Sequence, residues 1–222
     1  MALILNIDTS LDTASVCLGN NDGVLQVAIN DNQKDHAAWI HTAINKLLKE
    51  TGFPLKSLEA IAVSIGPGSY TGLRIGLSSA KGLCYALDIP LITISTLKMI
   101  ASAVKQNATD LICPMVDARR MEVFTGLYNK DLLEISAARA LIIDETSFDT
   151  FLSSHKILFC GNGSKKLQNI LSSPNASFIE TIPNASELSD LSQNCYINKQ
   201  FANLAYSEPL YIKEFYTPGR KD

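Results

Sequence analysis

The stretch that most restricts this chain runs Ile65-Gly66-Pro67-Gly68-Ser69-Tyr70-Thr71-Gly72-Leu73-Arg74-Ile75-Gly76. In it an apolar run from Ala60 to Ile65 feeds a tight glycine turn that opens into a helix. Gly66 and Gly68 supply permissive backbone on either side of the fixed φ of Pro67. Ser69 or Thr71 can cap the helix that follows. Free N–H groups at a helix start can hold an anion, yet the two common phosphate loops do not match. A dinucleotide fingerprint needs glycine where Thr71 stands, and a Walker loop needs Gly-Lys-Ser/Thr where the chain has Gly72-Leu73-Arg74. The spacing predicts a strand-to-helix turn, and with it an α/β class.

Along that helix Gly72, Gly76 and Ala80 recur every four residues, with Ser79 beside them, so one face is nearly bare backbone. Leu73, Leu77, Cys84 and Leu87 form an adjacent apolar stripe that can pack on a sheet. Interior glycine costs about 0.5–1 kcal/mol relative to alanine, so two of them imply a close approach. The approaching surface can be a second molecule or another element of the same chain, and the residues fit both.

Around this centre the pattern predicts an antiparallel meander of Leu3–Asp8, Ser15–Leu18 and Val24–Ile29, joined by turns such as Asn20-Asn21-Asp22-Gly23. An amphipathic helix from His36 to Glu50 follows, with Gly52 as its C-cap and Pro54 beyond. Strand 60–65, the glycine helix, strand 91–94 and a helix near 96–104 then extend the sheet in parallel. The order restarts at Leu111–Asp117, which mirrors Leu3–Asp8 in ending on aspartate, with Glu122–Tyr128 as the return strand. Strand Ile157–Cys160, the turn Gly161-Asn162-Gly163, a helix from Ser164 towards Leu171 and a helical region around 186–204 complete it. A duplicated half-molecule accounts for this order, with lobes at 1–108 and 109–222.

Apolar residues make up 46% and charged residues 18% of the 222-residue chain, a globular balance. No apolar run approaches the roughly 20 residues that cross a bilayer, so no membrane association is expected. The opening Met1–Asp8 has no basic leader and reads as a strand rather than a signal peptide, which implies a cytoplasmic protein. The formal charge of −3 does not suit a chain that grips a nucleic-acid backbone by itself. The five cysteines have no close pairing and sit mostly in apolar runs, as buried free thiols do. His36 and His41 are five apart, and at about 100° per residue they diverge by roughly 140°. Together with His155 they build no three-ligand metal site, and no metal ligands are assigned. The run Gly68-Ser69-Tyr70-Thr71-Gly72 does not fit a serine nucleophile elbow, and no catalytic residue is assigned.

The run from Gly66 to Gly76, with Ala80-Lys81-Gly82-Leu83 behind it, resembles the TsaB (YeaZ) family. So do Ile7-Asp8-Thr9-Ser10, Ser15-Val16, His36 and Asp117-Ala118-Arg119-Arg120-Met121-Glu122-Val123. The likeness is strong over about the first 128 residues and thin afterwards, and Tyr70 stands where the family more often has phenylalanine. It implies an actin-like (ASKHA) fold, a duplicated ribonuclease H-like plan with two lobes of mixed β-sheet and flanking helices. It also implies a non-catalytic subunit that forms a homodimer in isolation and pairs with a TsaD-like catalytic subunit. With a TsaE-like ATPase, that complex would support threonylcarbamoyl transfer to N6 of the adenosine beside the anticodon in tRNAs reading ANN codons. ATP with Mg²⁺ would belong to the complex, this chain would hold no cofactor of its own, and tRNA would be met only through the complex.

On this resemblance Gly72, Arg74, Gly76, Ser79, Ala80 and Leu83, with His36, Trp39 and Ile40, are expected at the partner and dimer interface. Asp8 and Asp117 end equivalent strands. They either converge to carry hydrated Mg²⁺ and nucleotide, or Asp8 caps the Thr9-Ser10 turn while Asp117 pairs with Arg119 or Arg120. Gly161 and Gly163 likewise either approach an adenine or cap a helix. The competing reading is a stand-alone enzyme of the same fold, a glycoprotease-like metallopeptidase or a phosphotransferase.

Overall fold

A computed structural model describes residues 2–32 and 35–213. Its first sheet contains β1 (Ile4–Asp8), β2 (Ala14–Asn20), β3 (Gly23–Asn30), β4 (Ala60–Ser64) and β5 (Leu91–Ile94), ordered β3-β2-β1-β4-β5. The first three strands are antiparallel, and β4 and β5 run parallel to β1. The second sheet contains β6 (Leu111–Asp117), β7 (Glu122–Asn129), β8 (Glu134–Ile142), β9 (Ile157–Cys160) and β10 (Ala176–Ile179), ordered β10-β9-β6-β7-β8. Strand for strand it repeats the first sheet in order and sense. The duplication expected from the paired aspartate-ended strands, with the actin-like plan that the resemblance implies, is the observed fold.

Strand alternation decides how the layers stack. Leu5 and Ile7 of the first strand, with Leu3 just before it, face outward into a core shared with α1 (His36–Thr51) and α2 (Tyr70–Leu87). Ile4, with Ala60, Ala62, Ile92 and Ile94, faces inward onto α3 (Thr96–Val104) and α6 (Glu187–Ile197), which lie between the two sheets. The far side of the second sheet carries α4 (Asp149–Leu152) and α5 (Ser164–Gln168), where Cys113, Met115 and Phe159 of the strands pack with Phe148 and Leu167.

Local chemistry sets the ends of the two outer helices. Ser69 Oγ accepts from Gly72 N at 3.2 Å, so Ser69 is the N-cap of α2. Gly52 closes α1 in the left-handed region at φ 76°.

Two expectations about the second half need correction. The helix expected over 186–204 stops at Ile197, and Ala202 instead pairs with Leu91 at the free edge of β5. The C-terminal part also does not stay with the second lobe. Ala185 N donates to Ser15 Oγ at 2.8 Å, Gln193 Nε2 to Ala2 O at 2.9 Å, and Tyr196 OH to Glu59 at 3.1 Å. The inner face of the first sheet is lined by small and apolar side chains, and Leu188 and Leu191 of α6 supply part of its cover. A boundary at 108/109 therefore separates the sheets, while α6 belongs to the first packing unit. Strands β8 and β10 were not expected. The first is an edge strand with an Ala-Ala-Arg-Ala centre and no clear alternation, and the second has four residues.

Cys17, Cys84, Cys113 and Cys160 are buried free thiols, and Cys195 is half-buried. Burial pushes the first three up to about 12. Among the described residues, no helix is long and apolar enough to cross a membrane.

Candidate functional site

The turn after β1 is the mechanical centre of the first lobe. Asp8 is fully buried, and its Oδ1 accepts three hydrogen bonds: from Ser10 N at 3.0 Å, Ser10 Oγ at 2.6 Å and Ser64 Oγ at 2.5 Å. Its Oδ2 has no hydrogen-bond partner among the described residues. Ser10 O in turn accepts from Ser69 N at 2.7 Å, and Thr9 Oγ1 donates to Gly72 O at 2.7 Å. The turn thus sits beneath the first two turns of α2 and is fastened to it.

That contact corrects the reading of the small-residue strip. A Cβ on Gly72 would overlap Thr9 O, and one on Gly76 would overlap Thr9 Oγ1. Gly72, Gly76 and Ala80 are buried inside the chain's own core, because the backbone of α2 closes directly over the β1–β2 turn. His36 and Ile40 are also buried, since α1 turns them towards the sheet. These five residues are withdrawn from the expected interface. Of the other four, Arg74 is exposed and Trp39, Ser79 and Leu83 are half-buried.

Asp117, at the matching end of β6, is engaged differently. Its Oδ1 accepts from Arg119 N at 2.6 Å and from Lys166 Nζ at 2.7 Å, and its own N–H donates to Asn162 Oδ1 at 2.9 Å. Lys166, which the sequence reading missed, is the ionic partner in place of the Arg119 or Arg120 side chains. The Gly161–Gly163 turn packs onto β6: a Cβ on Gly161, at φ 86°, would lie 2.5 Å from Met115 O. Gly163 N donates to that same oxygen at 3.0 Å. The two glycines are needed for this close approach.

A cleft of about 450 Å³ opens beside the turn, lined by Leu11, Thr13, Gly161, Asn162, Phe178 and Ile182 among others. Of the four residues expected to hold nucleotide, Gly161 alone lines it. A Mg²⁺–nucleotide does not fit these carboxylates. Asp8 is sealed behind Ser10 and Ser64, Asp117 is neutralised by Lys166, and no cluster of three His, Cys, Asp or Glu forms among the described residues.

Burial is the main cause that raises Asp8 above the ordinary carboxylate range, opposed by the hydrogen bonds from Ser10 and Ser64. An acid raised on folding binds its proton more tightly in the native state. Stability therefore falls as pH rises from the unfolded value near 3.8 through the folded one. Asp8→Asn is expected to match wild type near pH 4 and to melt above wild type at pH 7, because the amide carries no charge to bury. A melting temperature below wild type at both values would mean that the ionised carboxylate is a net stabiliser here.

The outer face of α2 is open to solvent. Thr71, Ser78, Gly82 and Tyr85 are exposed along it, and a Cβ on Gly82 would meet nothing within 4 Å. Alongside runs α1, whose exposed His41 Nε2 lies 3.4 Å from Ser79 Oγ. His36, by contrast, points into the core, so the two histidines diverge as their spacing requires.

Comparison with known proteins adds to this geometry. The family model described as "TsaD: tRNA N6-adenosine threonylcarbamoyltransferase" matches residues 26–208. The "tRNA threonylcarbamoyladenosine biosynthesis protein TsaB" of Bacillus subtilis is 42% identical over 56% of this chain and 54% of its own length. The chain thus spans about half of that relative. The protein of the same name from Buchnera aphidicola subsp. Schizaphis graminum is 32% identical over 75% of this chain and 81% of its own. Among solved structures, "YeaZ from Pseudomonas aeruginosa" superposes with a TM-score of 0.84 at 25% identity, covering 95% of this chain and all of that one.

Proposed function

From the premise that this chain belongs to the TsaD family, and within it to the TsaB proteins, we propose that it is a non-catalytic subunit of a tRNA-modifying complex. Its partner would be a TsaD-like catalytic paralogue that transfers a threonylcarbamoyl group to N6 of the adenosine beside the anticodon in tRNAs reading ANN codons. A TsaE-like ATPase would supply ATP turnover with Mg²⁺. Tethering to tRNA would come through the complex, in the cytoplasm.

The observation that carries this reading is the state of the two strand-end carboxylates. An enzyme of this fold would need Asp8 and Asp117 free to face a shared ligand, whereas here one is sealed by Ser10 and Ser64 and the other is held by Lys166. The bonds from Ser69 N to Ser10 O and from Thr9 Oγ1 to Gly72 O support an architectural role for the turn, since they fix α2 from beneath and leave its outer face available.

Docking of the paralogue, and of a second copy in its absence, would use the exposed flanks of α1 and α2. Thr71, Arg74, Ser78 and Gly82 lie on this face, with Trp39 and Leu83 at its edge. Small side chains there would let a partner helix approach closely, and the aromatic and Arg residues are of the kinds enriched at interface anchors.

The test is reconstitution. The chain alone is expected to modify no tRNA. The TsaD-like subunit, the TsaE-like ATPase, threonylcarbamoyl-AMP, tRNA and ATP should give modified adenosine only when the chain is added. Full-rate modification without it would remove the obligatory role, and modification by the chain alone would favour the stand-alone enzyme.

A further inference from the structure

The segment 205–213 contains no helix or strand, yet it is held along its length. Lys81 Nζ on α2 donates to Ala205 O and Ser207 O, both at 3.1 Å. Leu210 N donates to Ile65 O at 2.7 Å. The glycine turn makes room for it: a Cβ on Gly66, at φ 119°, would lie 2.7 Å from Leu210 O. Tyr211 stacks on Tyr70 with ring centroids 5.0 Å apart and accepts from Arg74 Nε at 2.9 Å. The Arg74 guanidinium lies 4.1 Å from the centre of the Tyr70 ring. Two residues on, Lys213 Nζ is 3.0 Å from both carboxylate oxygens of Glu122, the first residue of β7 in the second lobe.

The path of this segment joins the glycine turn and α2 of the first lobe to the second sheet. At about 100° per residue, Lys81 and Arg74 lie roughly 200° round the helix from Ser79, which faces α1. The exposed face of α2 therefore has α1 along one edge and the segment along the other. Leu210, Tyr211, Ile212 and Lys213 also line the groove of about 260 Å³ between Pro67 and Gly68 of the first lobe and Phe124 of the second.

We propose that residues 205–213 are a strap that locks α2 and the two lobes into one arrangement, and that the TsaD-like paralogue docks on the arrangement so locked. The second half rests on the docking face assigned above. A half-exposed Lys–Glu pair alone contributes little, so the lock depends on the Tyr70–Arg74–Tyr211 cluster and the Leu210 backbone bond. The ion pair sets where the far end of the strap lands.

Hydrogen exchange of the full chain, read on peptides covering 65–74 and 118–124, tests the lock. Calorimetry against the paralogue tests its consequence. Tyr211→Ala is expected to quicken exchange about tenfold in both peptides, with the rest of the chain as in wild type, and to weaken paralogue binding about tenfold. Lys213→Glu should quicken the 118–124 peptide alone, and adding Glu122→Lys should restore it. Unchanged exchange at 118–124 in both single variants would overturn the lock. Faster exchange with unchanged affinity would overturn the docking consequence. Failure of the wild-type chain to bind the paralogue would instead refute the docking reading, and exchange would still decide the strap.

Discussion

Gly76→Leu is expected to lower the melting temperature of the isolated chain by about 6–12 °C, because the added side chain has nowhere to go. Even its Cβ would overlap Thr9 Oγ1, and Thr9 is itself fixed by the bond to Gly72 O. Overpacking a filled core costs about 1–3 kcal/mol and sometimes more. A value near 3 kcal/mol, at roughly 2–4 °C per kcal/mol for a domain of 150–250 residues, gives that shift. The helix-propensity gain of leaving glycine is at most about 1 kcal/mol, so packing wins. A double-mutant cycle isolates the cause: Thr9→Ala removes the clashing hydroxyl, and Gly76→Ala should be less harmful on that background than on wild type. Thermal melts at a single monomeric concentration measure all four corners. A Gly76→Leu chain that melts like wild type would mean that the strip faces solvent and that α2 is rotated from the position described.

Gly82→Leu should do the reverse. Nothing lies within 4 Å of a Cβ at Gly82, so the isolated chain is expected to keep or slightly raise its melting temperature. If the outer face of α2 meets the paralogue closely, the leucine intrudes on that contact. A cost of about 2–3 kcal/mol corresponds to roughly 30- to 150-fold weaker binding. Titration calorimetry with wild-type and Gly82→Leu chains reads it directly. Unchanged affinity would move the docking face off this part of the helix. The two glycines are six residues apart on one helix, and their opposite responses separate a packing role from a recognition role.

Much of the fold was legible because its signals are local. Ser69, one of the two caps the turn offered, caps α2, Gly52 closes α1, and the antiparallel strands followed by parallel ones repeat in both halves. The direction of the Gly72–Gly76–Ala80 strip was not legible. It depends on Thr9, more than sixty residues earlier, and close helix-to-turn packing leaves the same small-residue spacing as close helix-to-helix packing. Asp8 and Asp117 were legible as an equivalent pair, but their partners were only partly so. The Ser10 contact is two residues away and could be read, whereas Ser64 and Lys166 arrive from distant parts of the chain. The strap left no trace in the pattern, since an extended segment held by one backbone bond and a few side chains has no period to detect.

Helix α6 and the bridge from Ala202 to Leu91 bear on how the protein is made. The inner face of the first sheet and its α3 cover are synthesised early, but α6, the rest of that cover, is synthesised only after the whole second sheet. During translation an emerging chain of about 180 residues therefore holds Ala60, Ala62, Ile92 and Ile94 without their full cover, and contacts this far apart in sequence form slowly. Nascent chains that present such a surface are prone to associate wrongly, so premature termination before α6 should yield insoluble product rather than a stable half-molecule.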